Sequence, residues 1–258
     1  MLEKVDQSNM KKIILILLLF TSIYTWAQSK QTLPEFDVEV IFVVEENMFP
    51  SNWYDQTTNA HATSLNKSEY RRSLSIVEKA IKKYPAEFIK RHLKKVYVLH
   101  TLEFFGQKFG GTYATHKDAI YLSNKGTRLG YSNHYIEQVF HAEFSSILFN
   151  TYPHYFQKEE WINSSNLKHG TSGVTALENG QTSERFEDHY HDAGFLNQYA
   201  MSSIENDFNS FAKNLFAAKR NFWTSIKNYQ LLEKKKLLTI QFYQKIDRRF
   251  DEQFFKKY

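Results

Sequence analysis

The sequence predicts an α+β fold: a small twisted sheet packed on a central helix over residues 134–149, followed by a mainly helical C-terminal half. Three observations predict it. Phe36 to Val44 (FDVEVIFVV) and Lys95 to Phe105 (KVYVLHTLEFF) are β-branched and aromatic runs of strand length. His134 to about Asn150 sets Ile136, Val139, Phe140, Phe144, Ile147 and Leu148 on one helical face. From Tyr199 onward the apolar residues recur only at helical spacing.

The chain opens with a segment that reads as an export signal. From Met10, which can be the true start, Lys11-Lys12 precede the apolar run Ile13 to Phe20 and then Thr21 to Gln28, in the order basic, apolar, cleavage region. Cutting after Ala27 leaves 28–258 as one domain with no stable membrane span, because the apolar run is short for a bilayer. The chain has no cysteine, so neither a lipid-anchored lipoprotein nor a disulfide-supported fold is possible. The expectation is an exported protein, periplasmic or secreted.

After Val44 a polar stretch with Pro50, Asn52 and Asn59 predicts a loop, and Lys67 to about His92 returns to helical spacing with Leu74, Ile76, Val77, Ala80 and Ile81 inward. Pro85 removes a backbone donor and biases Tyr84 away from the helix, so two helical pieces are expected. Gly110 to Ala114 and Ala119 to Leu122, turning around His116-Lys117-Asp118, predict a hairpin or strand pair. Residues 124–131 form a glycine-bearing loop before the central helix, and 151–192 show no clear period and read as a lid or long irregular segment. Ser202 or Ser203 can cap a helix through Phe208, Phe211, Leu215 and Phe216, with a last helical stretch from about Glu233.

Composition narrows the function classes. The net charge of +5 and pI near 9.0 come from dispersed bases mixed with 28 acids, without a basic, aromatic-interleaved stripe, so no nucleic-acid partner is expected. Lys234-Lys235-Lys236 before an apolar helix reads as the basic edge of a docking helix rather than a membrane-surface helix. Ser145 and Ser146 lack a G-x-S-x-G elbow and an arranged base, which argues against a serine nucleophile.

The informative stretch is Phe140-His141-Ala142-Glu143-Phe144-Ser145-Ser146 on the central helix. In an H-E-x-x-H zinc site two histidines four apart share a helical face and bind the metal, while the glutamate activates the bound water. With Glu143 in the glutamate position, the histidine positions fall on Ala142 and Ser146. His141 is one residue out, turned by roughly 100°. Glu143 alone generates no hydroxide at neutral pH and reads as a vestigial general base. His189-Tyr190-His191-Asp192 is the cluster that could compensate, its two histidines pointing the same way if the segment is extended, with His141 and His116 behind it. Otherwise these are the solvated imidazoles of a surface loop, and His154 and His169 in the same irregular region carry still less information.

The helix outline H-x-E-F-S-S-I-L, the strand and hairpin before it, and the segment Asp192-Ala193-Gly194-Phe195 through Tyr199-Ala200 to Asp207-Phe208 together resemble the zincin-like zinc-binding metallopeptidases of Bacteroidetes, from about residue 36 to the C-terminus. The resemblance implies a zincin-like fold. It also implies a third metal ligand from a glutamate in a downstream E-D-F segment, a position held here by Asn206 with Glu205 beside it, and an oxyanion-stabilising role for Tyr199. The expectation is a catalytically degenerate homologue, without a cofactor, that binds a peptide or protein outside the cytoplasm. The alternative is an active zinc metallohydrolase whose metal site is rebuilt from His141, His189, His191 and Glu205 around Glu143.

Overall fold

The computed structural model describes residues 29–257. The expected signal segment, 1–27, lies outside them. Eight strands appear among the described residues: β1 (Lys30–Leu33), β2 (Val38–Ile41), β3 (His61–Thr63), β4 (Lys95–Leu99), β5 (Thr101–Phe104), β6 (Gln107–Lys108), β7 (Gly111–Ala114) and β8 (Ala119–Ser123). Five form the main sheet in the order β1-β2-β4-β8-β7, and β3-β5-β6 form a smaller one. β2, β4 and β8 run parallel, with Val40 opposite Val96 and Val96 opposite Ile120. β1 and β7 close the two edges antiparallel.

The parallel strands are covered on both faces, which is why they read as near-continuous apolar runs. Val38, Val40, Val96, Val98, Ile120 and Leu122 face the helical layer. Ile41, Tyr97, Leu99, Ala119 and Tyr121 face the smaller sheet and the Met48–Trp53 segment.

Two helices, α1 (Tyr70–Ile81) and α2 (Ala86–His92), make the crossover from β2 to β4. Pro85 stands between them in extended conformation, the break expected from its ring. The central helix α3 (Asn133–Thr151) starts at Ser132, whose Oγ accepts the Tyr135 N–H at 3.1 Å. Short helices α4 (Lys158–Ile162), α5 (Gly173–Glu178) and α6 (Asp188–Asp192) punctuate the long connection. The C-terminal half then runs through α7 (Ile204–Phe216), α8 (Phe222–Asn228), α9 (Gln230–Ile246) and α10 (Glu252–Phe255). Ser203 caps α7, its Oγ accepting the Asn206 N–H at 3.0 Å.

The central helix lies between β7 and β8 on one side and α7 on the other. It is therefore buried nearly all round rather than amphipathic. Phe140 and Phe144 are fully buried, each stabilising by about 1.5–3 kcal/mol. The polar side chains that share the helix are matched by partners: Glu137 by Lys79 and Lys83, and Gln138 by Asn214 and the Ala217 carbonyl.

Some boundaries differ from the sequence reading. The first predicted strand shortens to β2 because Asp37 takes a left-handed conformation, and β1 was not foreseen. The run Lys95–Phe105 bends at His100 into β4 and β5, which serve different sheets. The stretch 151–192 holds helices of only five or six residues, too short for a period to register. No helix among the described residues is long and apolar enough to cross a membrane. In α9, Lys235 and Lys236 are buried, consistent with a docking helix.

Candidate functional site

Edge strand β7, the exposed flank of α3, the first turns of α7 and the segment 171–199 enclose a cleft of roughly 680 Å³. From α3 come Tyr135, Val139, Ala142, Glu143 and Ser146, and from α7 Glu205, Asn206, Asn209 and Lys213. β7 supplies Gly111 and Tyr113, which share one face of the strand because side chains alternate. Gly111 is required by close approach: a Cβ there would lie 2.5 Å from Val139 Cγ1 and 2.9 Å from Glu143 Oε1.

Glu143 lines this cleft and is half-buried. Burial pushes its carboxyl up to about 8, and the nearby Glu205 carboxylate adds to the effect against a weaker opposing pull from Lys213. The Tyr113 hydroxyl accepts from Asn150 Nδ2 at 2.8 Å and lies beside Glu205. Burial, reinforced by Glu205 and Glu143, holds it far above the usual phenol range. The Tyr199 hydroxyl and Asn206 Nδ2 meet over Gly173, where a Cβ would lie 2.7 and 2.9 Å from them. Burial and the negative field of Glu143 keep Tyr199 protonated as well. On the opposite wall Glu184 accepts from Lys213 at 2.6 Å and Lys219 at 3.2 Å, and although burial opposes ionisation these two cations bring its carboxyl down to about 2.

The positions matching an H-E-x-x-H ligand pair face this cleft but carry no imidazole. Ala142 has no donor atom, and Ser146 Oγ accepts from Asn209 Nδ2 at 2.7 Å. Asn206 Nδ2 donates to Ser202 Oγ at 2.8 Å.

The fold has a solved counterpart. The chain superposes on a structure described as a "putative zinc-binding metallo-peptidase" from Bacteroides caccae ATCC 43185, with a TM-score of 0.58 and 15% identity over 87% of this chain and 85% of that one. Neither a family model nor a curated protein matches the sequence. At this identity the likeness establishes a metallopeptidase-like α+β fold.

Zinc is therefore the metal to test against the residues present, and they do not fit it. A zinc site needs at least three nitrogen, sulfur or carboxylate donors around one point. Among the described residues no three His, Cys, Asp or Glu side chains converge in this way. Ala142 and Ser146 contribute an apolar methyl and a neutral hydroxyl, leaving two carboxylates.

The other candidate ligands stand elsewhere. His141 points away from the cleft into the core, with Nδ1 2.8 Å from the Tyr84 hydroxyl and its ring stacked on Phe216. Burial pushes it well below the ordinary histidine range, so it is a neutral core residue. His189 and His191 do not lie on an extended segment but on α6, where residues two apart diverge. His191 is buried, its Nε2 donating to the Leu196 carbonyl at 3.2 Å, while His189 is exposed beside Glu187. None of these three lines the cleft; of the proposed rebuilt set only Glu205 does. His169 does not line the cleft either and is held at 2.9 Å from Asp207.

Sequence reasoning missed Tyr113, Tyr135, Glu184, Asn209 and Lys213. The glycine pair Gly110-Gly111 followed by Tyr113 was the available signal, since two glycines at the start of an edge strand mark a close backbone approach. Glu184 lies in an aperiodic segment and offered none.

Proposed function

We propose that this chain is an exported, catalytically degenerate metallopeptidase homologue that uses the retained cleft to bind an extended peptide or a peptide segment of a protein partner. One observation carries the reading: the cleft and its glutamate persist, while the two positions that would present imidazoles carry Ala142 and a Ser146 engaged by Asn209. The topology supports a peptide. Because β7 is the outermost strand of its sheet, alternate backbone N–H and C=O groups point away from β8 and can pair with an added strand. Glu143 contributes as a wall of the binding site: a carboxyl pushed up to about 8 is mostly protonated at neutral pH and is a weak base there.

The alternative, an active zinc metallohydrolase with a rebuilt site, requires His141, His189 and His191 to gather at Glu143, and no geometric observation favours it. The discriminating experiment uses the mature chain from residue 28, dialysed mildly against zinc, with metal content read by elemental mass spectrometry and casein hydrolysis assayed in parallel. The expected result is zinc far below one per chain, equal in wild type and Glu143→Ala, without hydrolysis. Near-stoichiometric zinc that disappears in Glu143→Ala would overturn the pseudoenzyme reading.

A further inference from the structure

We propose that the peptide held in this cleft inserts a basic side chain, best an arginine guanidinium, between the carboxyl groups of Glu143 and Glu205. This inference rests on the peptide-binding reading above and names the chemistry of the occupant.

The argument begins with a charge imbalance. Other deeply set acids carry their own cations: Glu137 has Lys79 and Lys83, Asp207 has Lys235, and Glu184 has Lys213 and Lys219. Glu143 and Glu205 line the same cavity and form no ion pair among the described residues. Glu143 also accepts no hydrogen bond there. Lys213 lines the same cavity, but it is committed to Glu184 at 2.6 Å and opposes the charge of Glu143 only weakly. Ionising both acids in this half-buried site is costly, which keeps Glu143 protonated in the empty cleft, and a cation delivered from outside offsets that cost.

The walls fit a guanidinium. Tyr113, Tyr135 and Tyr199 line the cavity together with the acid pair, and aromatic rings bearing hydroxyls suit a planar, weakly hydrated cation. Ala142 leaves space beside Glu143 that a larger side chain would fill. A cavity of roughly 680 Å³ is ample for one long side chain and the backbone on either side. The edge strand β7 runs past the same spot, and side-chain-free Gly111 brings its backbone close to Glu143, so a strand paired with β7 runs alongside the acid. Backbone pairing at β7 sets the register, and the acid pair selects the residue that points inward.

The test uses the mature chain and dye-labelled, end-blocked heptapeptides Thr-Ser-Ala-X-Ala-Ser-Thr, with X as arginine, lysine, citrulline or glutamate, read by fluorescence anisotropy. Citrulline keeps the shape of arginine without its charge. The arginine peptide is expected to bind at least tenfold tighter than the citrulline peptide, with lysine between them. In Glu143→Gln/Glu205→Gln that preference should vanish while citrulline binding is kept. Glu205→Gln alone, expected to cut the preference severalfold, serves if the double variant does not fold. Equal binding of the arginine and citrulline peptides, or a preference for glutamate, would overturn the cation inference and leave the peptide cleft standing. Absence of binding by all four peptides would overturn both readings.

Discussion

Asn209 on α7 donates from Nδ2 to Ser146 Oγ at 2.7 Å and accepts on Oδ1 from Ser145, so one amide ties two successive residues of α3 to α7. A neutral hydrogen-bond network thus spans the point where a zinc site would need an imidazole. If the proposed degenerate-homologue reading is right, supplying imidazole donors at these positions should create a zinc site. Ala142→His/Ser146→His, with Asn206→Glu as third ligand, is expected to take up close to one zinc per chain under conditions where wild type takes up little. Added zinc at 100 times Kd should stabilise the variant by about 2.7 kcal/mol. Without zinc it should be less stable than wild type by roughly 1–3 kcal/mol, because two large side chains enter a packed wall. Elemental analysis and melts with and without zinc read both effects; no zinc uptake would mean that the α3–α7 spacing no longer suits a metal.

Glu143 predicts how stability depends on pH. The unfolded chain releases this proton near 4.5, whereas the folded chain holds it until about 8. Between these values the folded state binds more protons than the unfolded one, so stability falls as pH rises through this window. Each tenfold change in proton affinity is worth about 1.4 kcal/mol, and with some solvent contact remaining the loss amounts to roughly 2–4 kcal/mol. Glu143→Gln, which cannot ionise, should remove this component and be the more stable protein at pH 8 but not at pH 4.5. Urea denaturation of both proteins across that range measures it, and parallel pH curves would refute it.

How much of this was legible in the sequence follows from what each element depends on. The central helix follows from spacing along one helix, a local property, and the placement of Ala142, Glu143 and Ser146 toward one cleft agrees with that spacing. The Pro85 break was equally local. His189 and His191 were read as pointing the same way because five residues of helix cannot be told from an extended segment by period, and the burial of His191 is set by Leu196 and Tyr229. Glu184 was invisible for a further reason: its role comes from Lys213 and Lys219, which are distant in the sequence, and long-range pairing leaves no local trace.

Gly111 sets the width of the cleft. Even one methyl there meets Val139 Cγ1 at 2.5 Å and Glu143 Oε1 at 2.9 Å, forcing either the strand or α3 to move. Gly111→Ala is expected to destabilise the protein by about 1–3 kcal/mol and to abolish peptide binding. Gly180 offers the control for glycine loss in general, since no atom lies near a Cβ there although its φ of +66° strains a substitution. Gly180→Ala should therefore lose a comparable or smaller amount of stability with peptide binding kept. Anisotropy and thermal melts of the two variants separate the effects, and intact binding by Gly111→Ala would remove β7 from the proposed site.

Asp207 holds α7 in place for the cleft, and its network can be tested independently of any ligand. Lys235 and Asp207 are both completely buried and 2.6 Å apart, and Lys235 also donates to Ser165 Oγ and the Gly194 carbonyl. Trp161 Nε1 at 2.8 Å and His169 Nε2 at 2.9 Å complete the donors to the same carboxylate oxygen. Burial pulls the Lys235 ammonium down from its ordinary range while Asp207 pulls it back, the balance expected where an ion pair offsets its own desolvation. Lys235→Met removes the lysine cation from this buried carboxylate and should cost about 3–5 kcal/mol. Lys235→Met/Asp207→Asn removes the stranded charge and should recover at least half of that loss, because Trp161 and His169 can still meet an amide oxygen. Since Glu205 lies two residues before Asp207 on α7, the single variant should also weaken arginine-peptide binding and the double variant restore it. Denaturation and anisotropy on the same two proteins test the coupling: a stability loss without a binding loss would show that α7 keeps its register by helix packing alone.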